Sequence, residues 1–218
     1  MSLAARRVCQ VLLVCAIAAT GLTACAPLLV GGAVMTGMSA SDRRTLGAQV
    51  EDERIESRGA ATLRENLGER VHINITSYNR QVLLTGEVPN EQDKQLAEQV
   101  VSRVENVRAI INELGVMGHS TLSQRSSDAM VTGRVKANLI DAKDLNSNAF
   151  KVVTERGVNY LLGRVTAREA DRATDIARRT SGVQKVVRLF ELITEEELLQ
   201  MQAPEPKQGA AQRPGSTY

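Results

Sequence analysis

Val82-Leu83-Leu84-Thr85-Gly86-Glu87-Val88 recurs as Asn159-Tyr160-Leu161-Leu162-Gly163-Arg164-Val165, with the two glycines 77 residues apart. A second pair, Glu105-Asn106-Val107-Arg108-Ala109-Ile110 and Ser181-Gly182-Val183-Gln184-Lys185-Val186, matches at an offset of 76. A period of this size, shifted by one residue along its length, marks a duplicated unit with a single insertion or deletion. Upstream, Val71, Ile73 and Ile75 alternate with polar residues, as do Phe150 and Val152. That is the period of a half-buried strand. Each copy therefore reads as helix, strand, strand, helix, strand. Opening helices are expected over residues 52–66 and 128–139, with Ser127 or Asp128 as the second N-cap. Turns follow at Tyr78-Asn79-Arg80 and Glu155-Arg156-Gly157. Second helices run to about residues 104 and 180, and Asn106 and Gly182 stop them. Third strands are expected over 107–116 and 183–193. A short turn makes the first two strands antiparallel, and the right-handed helical crossover makes the third parallel to the second. The fold class is α+β, with two αββαβ units, each a three-stranded mixed sheet covered by two helices.

The Leu-Leu-x-Gly-x-Val core, the Ala-rich helix with Ala173 and Ala177, and the return through Gly182-Val183 together resemble a BON domain. The first copy departs from that pattern by carrying Arg80 and Asn106 where BON domains often have glycine.

At the other end of the chain, Leu22-Thr23-Ala24-Cys25 closes an apolar stretch that begins just after Arg6-Arg7. This resembles a bacterial lipoprotein signal: a charged start, an apolar segment too short for a comfortable bilayer span, then small residues before a cysteine. The thiol of Cys25 is the expected site of diacylglyceryl attachment, and this covalent lipid is the only cofactor-like group expected. Cys9 and Cys15 lie within the signal, so the processed chain has no free thiol and no disulfide. A tandem BON pair behind such a signal resembles the DolP type of outer-membrane lipoprotein. The resemblance implies anchoring on the periplasmic face of the outer membrane, consistent with Ala26 rather than Asp after the cysteine. It also implies binding of anionic phospholipid by the second domain, a role in envelope integrity, and enrichment at division sites. The organisation expected is signal 1–24, lipidated tether 25–49, first domain 50–116, linker 117–125, second domain 126–193, then a short helix and disordered tail over 194–218.

Charge separates the copies. Residues 50–116 hold 8 basic and 12 acidic side chains, and residues 126–193 hold 12 and 8. From Cys25 onward the chain is formally neutral, with 25 of each sign. A basic domain tethered to a bilayer meets a negative surface, where each basic residue gains on the order of 1 kcal/mol. Arg168, Arg172 and Arg178 fit a solvated helix face equally well. The sharper candidate is the opening helix of the second copy, where Met130, Val131 and Thr132 precede Arg134 and Lys136. An apolar tip beside hydroxyls and cations suits a phospholipid headgroup. The spacing of Val131, Val135 and Leu139 also fits a core stripe, and Met130 is compatible with either side. The loop Arg179-Thr180-Ser181-Gly182 is a second candidate; it is also readable as a plain helix stop.

No catalytic or metal site emerges. His72 and His119 are the only histidines, and neither has a second ligand at metal spacing. His72 is expected on the outer face of its strand. Gly86 and Gly163 read as strand-end glycines that relieve crowding, not as a phosphate loop. Glu195-Glu196-Glu197 reads as the first turn of a helix capped by Thr194. The expected protein is a non-enzymatic membrane-surface module with no nucleic-acid partner. The alternative is a periplasmic scaffold that docks an outer-membrane assembly or cell-wall protein.

Overall fold

A computed structural model describes residues 42–202. The signal, Cys25, most of the tether and the tail from residue 203 lie outside the described residues.

The chain forms α1 (Leu46–Leu67), β1 (His72–Tyr78), β2 (Gln81–Val88), α2 (Glu91–Val101), β3 (Ala109–Asn112) and β4 (Gly115–Val116). It then forms α3 (Leu122–Asp141), β5 (Phe150–Glu155), β6 (Val158–Val165), α4 (Ala167–Arg179), β7 (Lys185–Leu192) and α5 (Glu195–Gln202). The first sheet has the order β1-β2-β3, with β4 also paired to β2; the second is β5-β6-β7. In both, the hairpin is antiparallel and the crossover strand is parallel.

Both opening helices begin earlier than their hydrophobic periodicity suggests. Thr45 caps α1 by accepting from the Ala48 amide. Thr121, not Ser127 or Asp128, caps α3, in a reciprocal capping box with Gln124. The expected linker thus gives residues 122–125 to the helix. The acids at 52 and 128 have another task. Asp52, buried in α1, accepts from the Ser77 hydroxyl and the amides of Asn79 and Arg80 at 2.6–2.7 Å. Asp128 accepts from the amides of Arg156 and Gly157 at 2.8 and 2.9 Å. In each copy, then, a helix carboxylate holds the two amides of the hairpin turn. Those turns need both central residues at positive φ, the geometry that matches strand twist. Asn79 and Arg80 sit at +50° and +64°, Arg156 and Gly157 at +50° and +74°. Arg80 therefore occupies a backbone conformation that glycine fills in the second copy.

The third strand of the first copy is broken where a continuous one was expected. Leu114, 2% exposed, turns into the core between β3 and β4, and the chain then rejoins β2. β7 stays in register with β6 from Lys185 to Leu192. The matched glycines mark a close approach: a side chain at Gly86 would strike the His72 carbonyl, and one at Gly163 that of Ala149. After β7, the Thr194 hydroxyl accepts from the Glu197 amide and opens α5.

Strand alternation sends successive residues of β2 and β6 to opposite faces. Val82, Leu84 and Val88 face α1 and α2; Leu161 and Val165 face α3 and α4. Leu83, Tyr160 and Leu162 face the other way and meet in a third cluster with Tyr78. The two sheets are thus packed face to face. The Tyr78 hydroxyl accepts from the Arg164 amide at 3.2 Å and donates to the Ala149 carbonyl at 3.4 Å, tying the first copy to the second.

Asp128→Ala should leave two turn amides without acceptors and destabilise the protein by about 2–4 kcal/mol. Asp128→Asn, which keeps one acceptor oxygen, should cost less. Urea unfolding of both variants checks the ranking, and an Ala variant as stable as wild type would refute the role given to Asp128.

Candidate functional site

Helix α3 has two unlike faces. Val131, Val135 and Leu139 are at most 3% exposed and belong to the second core. On the opposite side Leu122, Met130 and Ile140 are 81%, 56% and 67% exposed. Leu122, Ala129, Gly133 and Ile140 align within about 20° of one line, with Ala137 and Met130 beside it. Ala129, Gly133 and Ala137 are exposed too. The result is an apolar, small-residue stripe about 27 Å long. Lys136 flanks it on one side and Arg134 on the other, both exposed.

This arrangement divides the residues expected to contact lipid. Met130, Arg134 and Lys136 lie on the outer side. Val131 is a correction: it is 3% exposed and packs under Gly182, where any side chain would strike it. Thr132 is half-buried at the margin. In the α4–β7 loop, Arg179, Ser181 and Gly182 are exposed. Thr180 is not available, because it is buried, donates to the Ile176 carbonyl and accepts from Asn138. Arg134 reaches the Ser181 carbonyl at 3.5 Å, so the loop and the helix adjoin. Leu122 and Ile140 were not among the expected residues, since they lie beyond the ends first assigned to the helix. The Thr121-x-x-Gln124 box was the signal that would have placed Leu122 on it.

The repeat supplies an internal comparison. The counterpart helix α1 exposes Glu53, Arg54, Ser57, Arg58, Arg64 and Glu65 along its middle and end, an ordinary solvated face. At its start α1 is apolar too, with Leu46, the counterpart of Leu122, 57% exposed and Val50 47% exposed; only in the second copy does the apolar face continue to the end of the helix, through Met130 and Ile140.

The BON domain profile matches residues 51–118 and 127–194. The chain belongs to the BON-domain family. Over 174 residues it is 34% identical to the outer membrane lipoprotein DolP of Haemophilus influenzae, covering 79% of this chain and 90% of that protein. It is 32% identical over 154 residues to a 21 kDa hemolysin of Actinobacillus pleuropneumoniae, covering 70% and 79%. With the osmotically-inducible protein Y of Escherichia coli it shares 27% identity over 151 residues, covering 67% and 75%. Among the described residues no helix is long and apolar enough to cross a membrane.

Between the two BON domains lies a polar cluster that spacing did not reveal. His72, Glu87 and Glu155 each bring a ligand-type atom within 4.8 Å of the others. His72 is therefore not on an outer face: its side chain is 18% exposed and its Nδ1 lies 2.9 Å from Glu87. Glu87, wholly buried, also accepts from the Ser120 hydroxyl and faces the Arg156 guanidinium at 3.1 Å. Glu155 accepts from Asn74 at 2.8 Å. With Arg156 already supplying the positive charge, the cluster reads as an ion-pair network that closes the seam. His119, in the linker, lies with its Nε2 3.0 Å from the Arg70 carbonyl.

The two carboxyls respond oppositely to this setting. Burial works to raise that of Glu87, but hydrogen bonds from Ser120 and His72 and the charges of His72 and Arg156 outweigh it and hold it low. Burial pushes Glu155 up; Asn74 and His72 pull against it, while Glu87 and Asp128 add to it. A raised carboxyl contributes stability that is present below its unfolded value and lost as pH rises through its folded value. Glu155→Gln keeps an acceptor for Asn74 and removes that loss. Its melting temperature should exceed wild type at about pH 7–8 and converge with it near pH 4. Glu87 acts in the other sense, its contribution disappearing only as acid protonates it below its ordinary range. Thermal denaturation across this range checks the sign, and a Gln variant that melts lower than wild type at pH 8 would contradict it.

Proposed function

We propose that this protein is a non-enzymatic, lipid-anchored lipoprotein of the outer membrane, held on the periplasmic face through Cys25. Its second BON domain lies on anionic phospholipid along the outer side of α3. The observation that carries this is the stripe of Leu122, Met130 and Ile140, set opposite the core and bracketed by Arg134 and Lys136. A helix with such a face rests in the plane of the headgroups, apolar side chains toward the acyl boundary and cations toward phosphate. Two or three basic residues near the surface supply on the order of 1 kcal/mol each. Together with the buried apolar stripe this gives a weak, reversible attachment, enough to orient a domain that the acyl chains already hold at the membrane. The likeness to DolP supports the lipoprotein assignment, and a role in envelope integrity, with enrichment at division sites, is the further expectation that the resemblance to that type of lipoprotein carries.

Cys25→Ala should abolish incorporation of a fatty-acid analogue in cells; label retained in that variant would remove the anchor from the proposal. For the surface itself, the non-acylated chain should float with anionic vesicles and not with neutral ones, and less so as salt rises. Double charge reversal at Arg134 and Lys136 should lower binding about tenfold or more without unfolding, since surface substitutions usually change stability by within about 0.5 kcal/mol. Met130→Trp should strengthen binding, because an indole favours the membrane interface. Equal flotation with neutral and anionic vesicles would remove the headgroup preference from the proposal, and flotation with neither would favour the scaffold alternative, in which the same stripe docks a protein.

A further inference from the structure

Among the described residues the second sheet ends in β7, an edge that no further strand covers. None of the eight residues of β7 is buried, whereas six of eight are buried in its neighbour β6. Val186 and Phe190 lie half-buried against the core under the helices, and Val187 and Leu189 half-buried against the seam. Leu192 is 60% exposed.

The first sheet treats the same edge differently. There β3 spans four residues, stops where Leu114 turns into the core, and resumes only as the two-residue β4. A short, interrupted edge is one of the devices by which sheets avoid pairing with another chain; a long, regular, apolar edge invites it. The repeat keeps that device in one copy and omits it in the other.

Ladder geometry fixes which backbone groups are free. β7 runs parallel to β6, and the Ile193 amide just beyond it donates to the Val165 carbonyl. Alternate residues of a parallel strand bond to one neighbour. The amides and carbonyls of Lys185, Val187, Leu189 and Glu191 therefore point to β6, and those of Val186, Arg188, Phe190 and Leu192 point away from the sheet.

The side chains identify a strand that fits. Let β7 pair antiparallel with a second copy of itself about a two-fold axis at Arg188. Lys185 then stands opposite Glu191, Val186 opposite Phe190 and Val187 opposite Leu189, each twice. Paired residues are an even number apart, so helix side meets helix side and seam side meets seam side. Lys185, exposed and without a hydrogen-bond or ion-pair partner among the described residues, gains one. The two Arg188 side chains meet at the axis, each already held by its own Asp171 at 2.9 Å. Moving the axis to Leu189 or to Val187 sets Glu191 against Val187, or Lys185 against Leu189, and both charge pairs are lost.

We infer that β7 is a self-association edge, through which two copies of this chain join into one six-stranded sheet with Arg188 at its centre. Such an interface is isologous and closes at the dimer. α4 packs over β7, and α3 over β5 at the opposite edge of the sheet. Pairing thus leaves the stripe of α3 free, and it holds whether or not that stripe meets lipid.

Sedimentation velocity of the non-acylated chain, from micromolar to millimolar, should show monomer passing to dimer and to nothing larger. Arg188→Pro removes an N–H that has no acceptor within the sheet, a change that edge strands tolerate. It should hold the chain monomeric with its circular dichroism unchanged. Lys185→Glu and Glu191→Lys each turn two opposite-charge pairs into like-charge ones and should weaken dimerisation about tenfold or more. Mixed one to one, these two variants form a heterodimer in which both pairs are opposite again, so association should return. That rescue reads the register itself and does not depend on how well the proline variant folds. A chain monomeric over the whole range would overturn the inference and leave the edge to an extended segment of another protein. So would dimers that survive Arg188→Pro, or a mixture that associates no better than either variant alone.

Discussion

A three-stranded sheet with both helices on one side has a second apolar face, and everything else in this protein follows from how that face is covered. Each BON domain uses the other for the purpose. Tyr78, Leu83, Tyr160 and Leu162 are at most 4% exposed, and they are buried only because the sheets meet. At about 1.5–3 kcal/mol for each large side chain removed from water, these four contribute on the order of 6–12 kcal/mol, an upper estimate. That is comparable to the whole net stability of a typical domain. Units of under 70 residues, nearly devoid of aromatic residues, sit near the lower limit for independent folding. The seam is thus the condition on which two marginal cores become one stable body.

Polar groups around the seam fix how the sheets meet. Arg43 forms a bidentate pair with Glu169 at 2.7 Å, with side chains 5% and 4% exposed, and also donates to the Arg164 carbonyl. Lys151 reaches Glu56 and Ser77 across the boundary, and Asn79 donates to Glu191. Desolvation offsets much of the attraction in such pairs, so their contribution to stability is small beside that of the apolar cluster. They penalise other orientations, because sliding one sheet over the other would leave buried charges unpaired. The Arg43 contact also makes the lead-in segment part of the second domain, although it precedes the first in sequence.

With both sheets consumed at the seam, the broad surfaces left are the outer sides of helices. That is why function has to be sought there and in the clefts between elements. The repeat sharpens the choice: α1 and α3 share their fold position, their turn-holding aspartate and an exposed leucine at the start, yet beyond the first turns α1 presents Glu53, Arg54, Arg58 and Arg64 to solvent where α3 presents Ala129, Met130, Gly133 and Ile140.

The duplication, the order of elements, the hairpins and crossovers, and the core stripe of Val131, Val135 and Leu139 were legible in the sequence, because periodicity and turn chemistry are local. The helix ends were misjudged where a capping box lay outside the apolar pattern, at Thr121, and where an acid resembled a cap but served a turn, at Asp128. Thr180 and His72 were misplaced for a different reason. Whether a hydroxyl is spent on a neighbouring carbonyl, or an imidazole faces a buried carboxylate rather than solvent, depends on a partner far along the chain. The sequence alone determined two α+β units with Val/Leu/Ile/Ala cores and a basic second half, because each unit's secondary structure follows from short-range alternation and helical spacing. Only the tertiary structure decided that the units share a face, that Glu87 and Glu155 meet His72 and Arg156 there, and that α3 keeps one apolar side uncovered. Those outcomes turn on which surfaces bury one another, and burial is a property of the assembled chain rather than of any stretch of it.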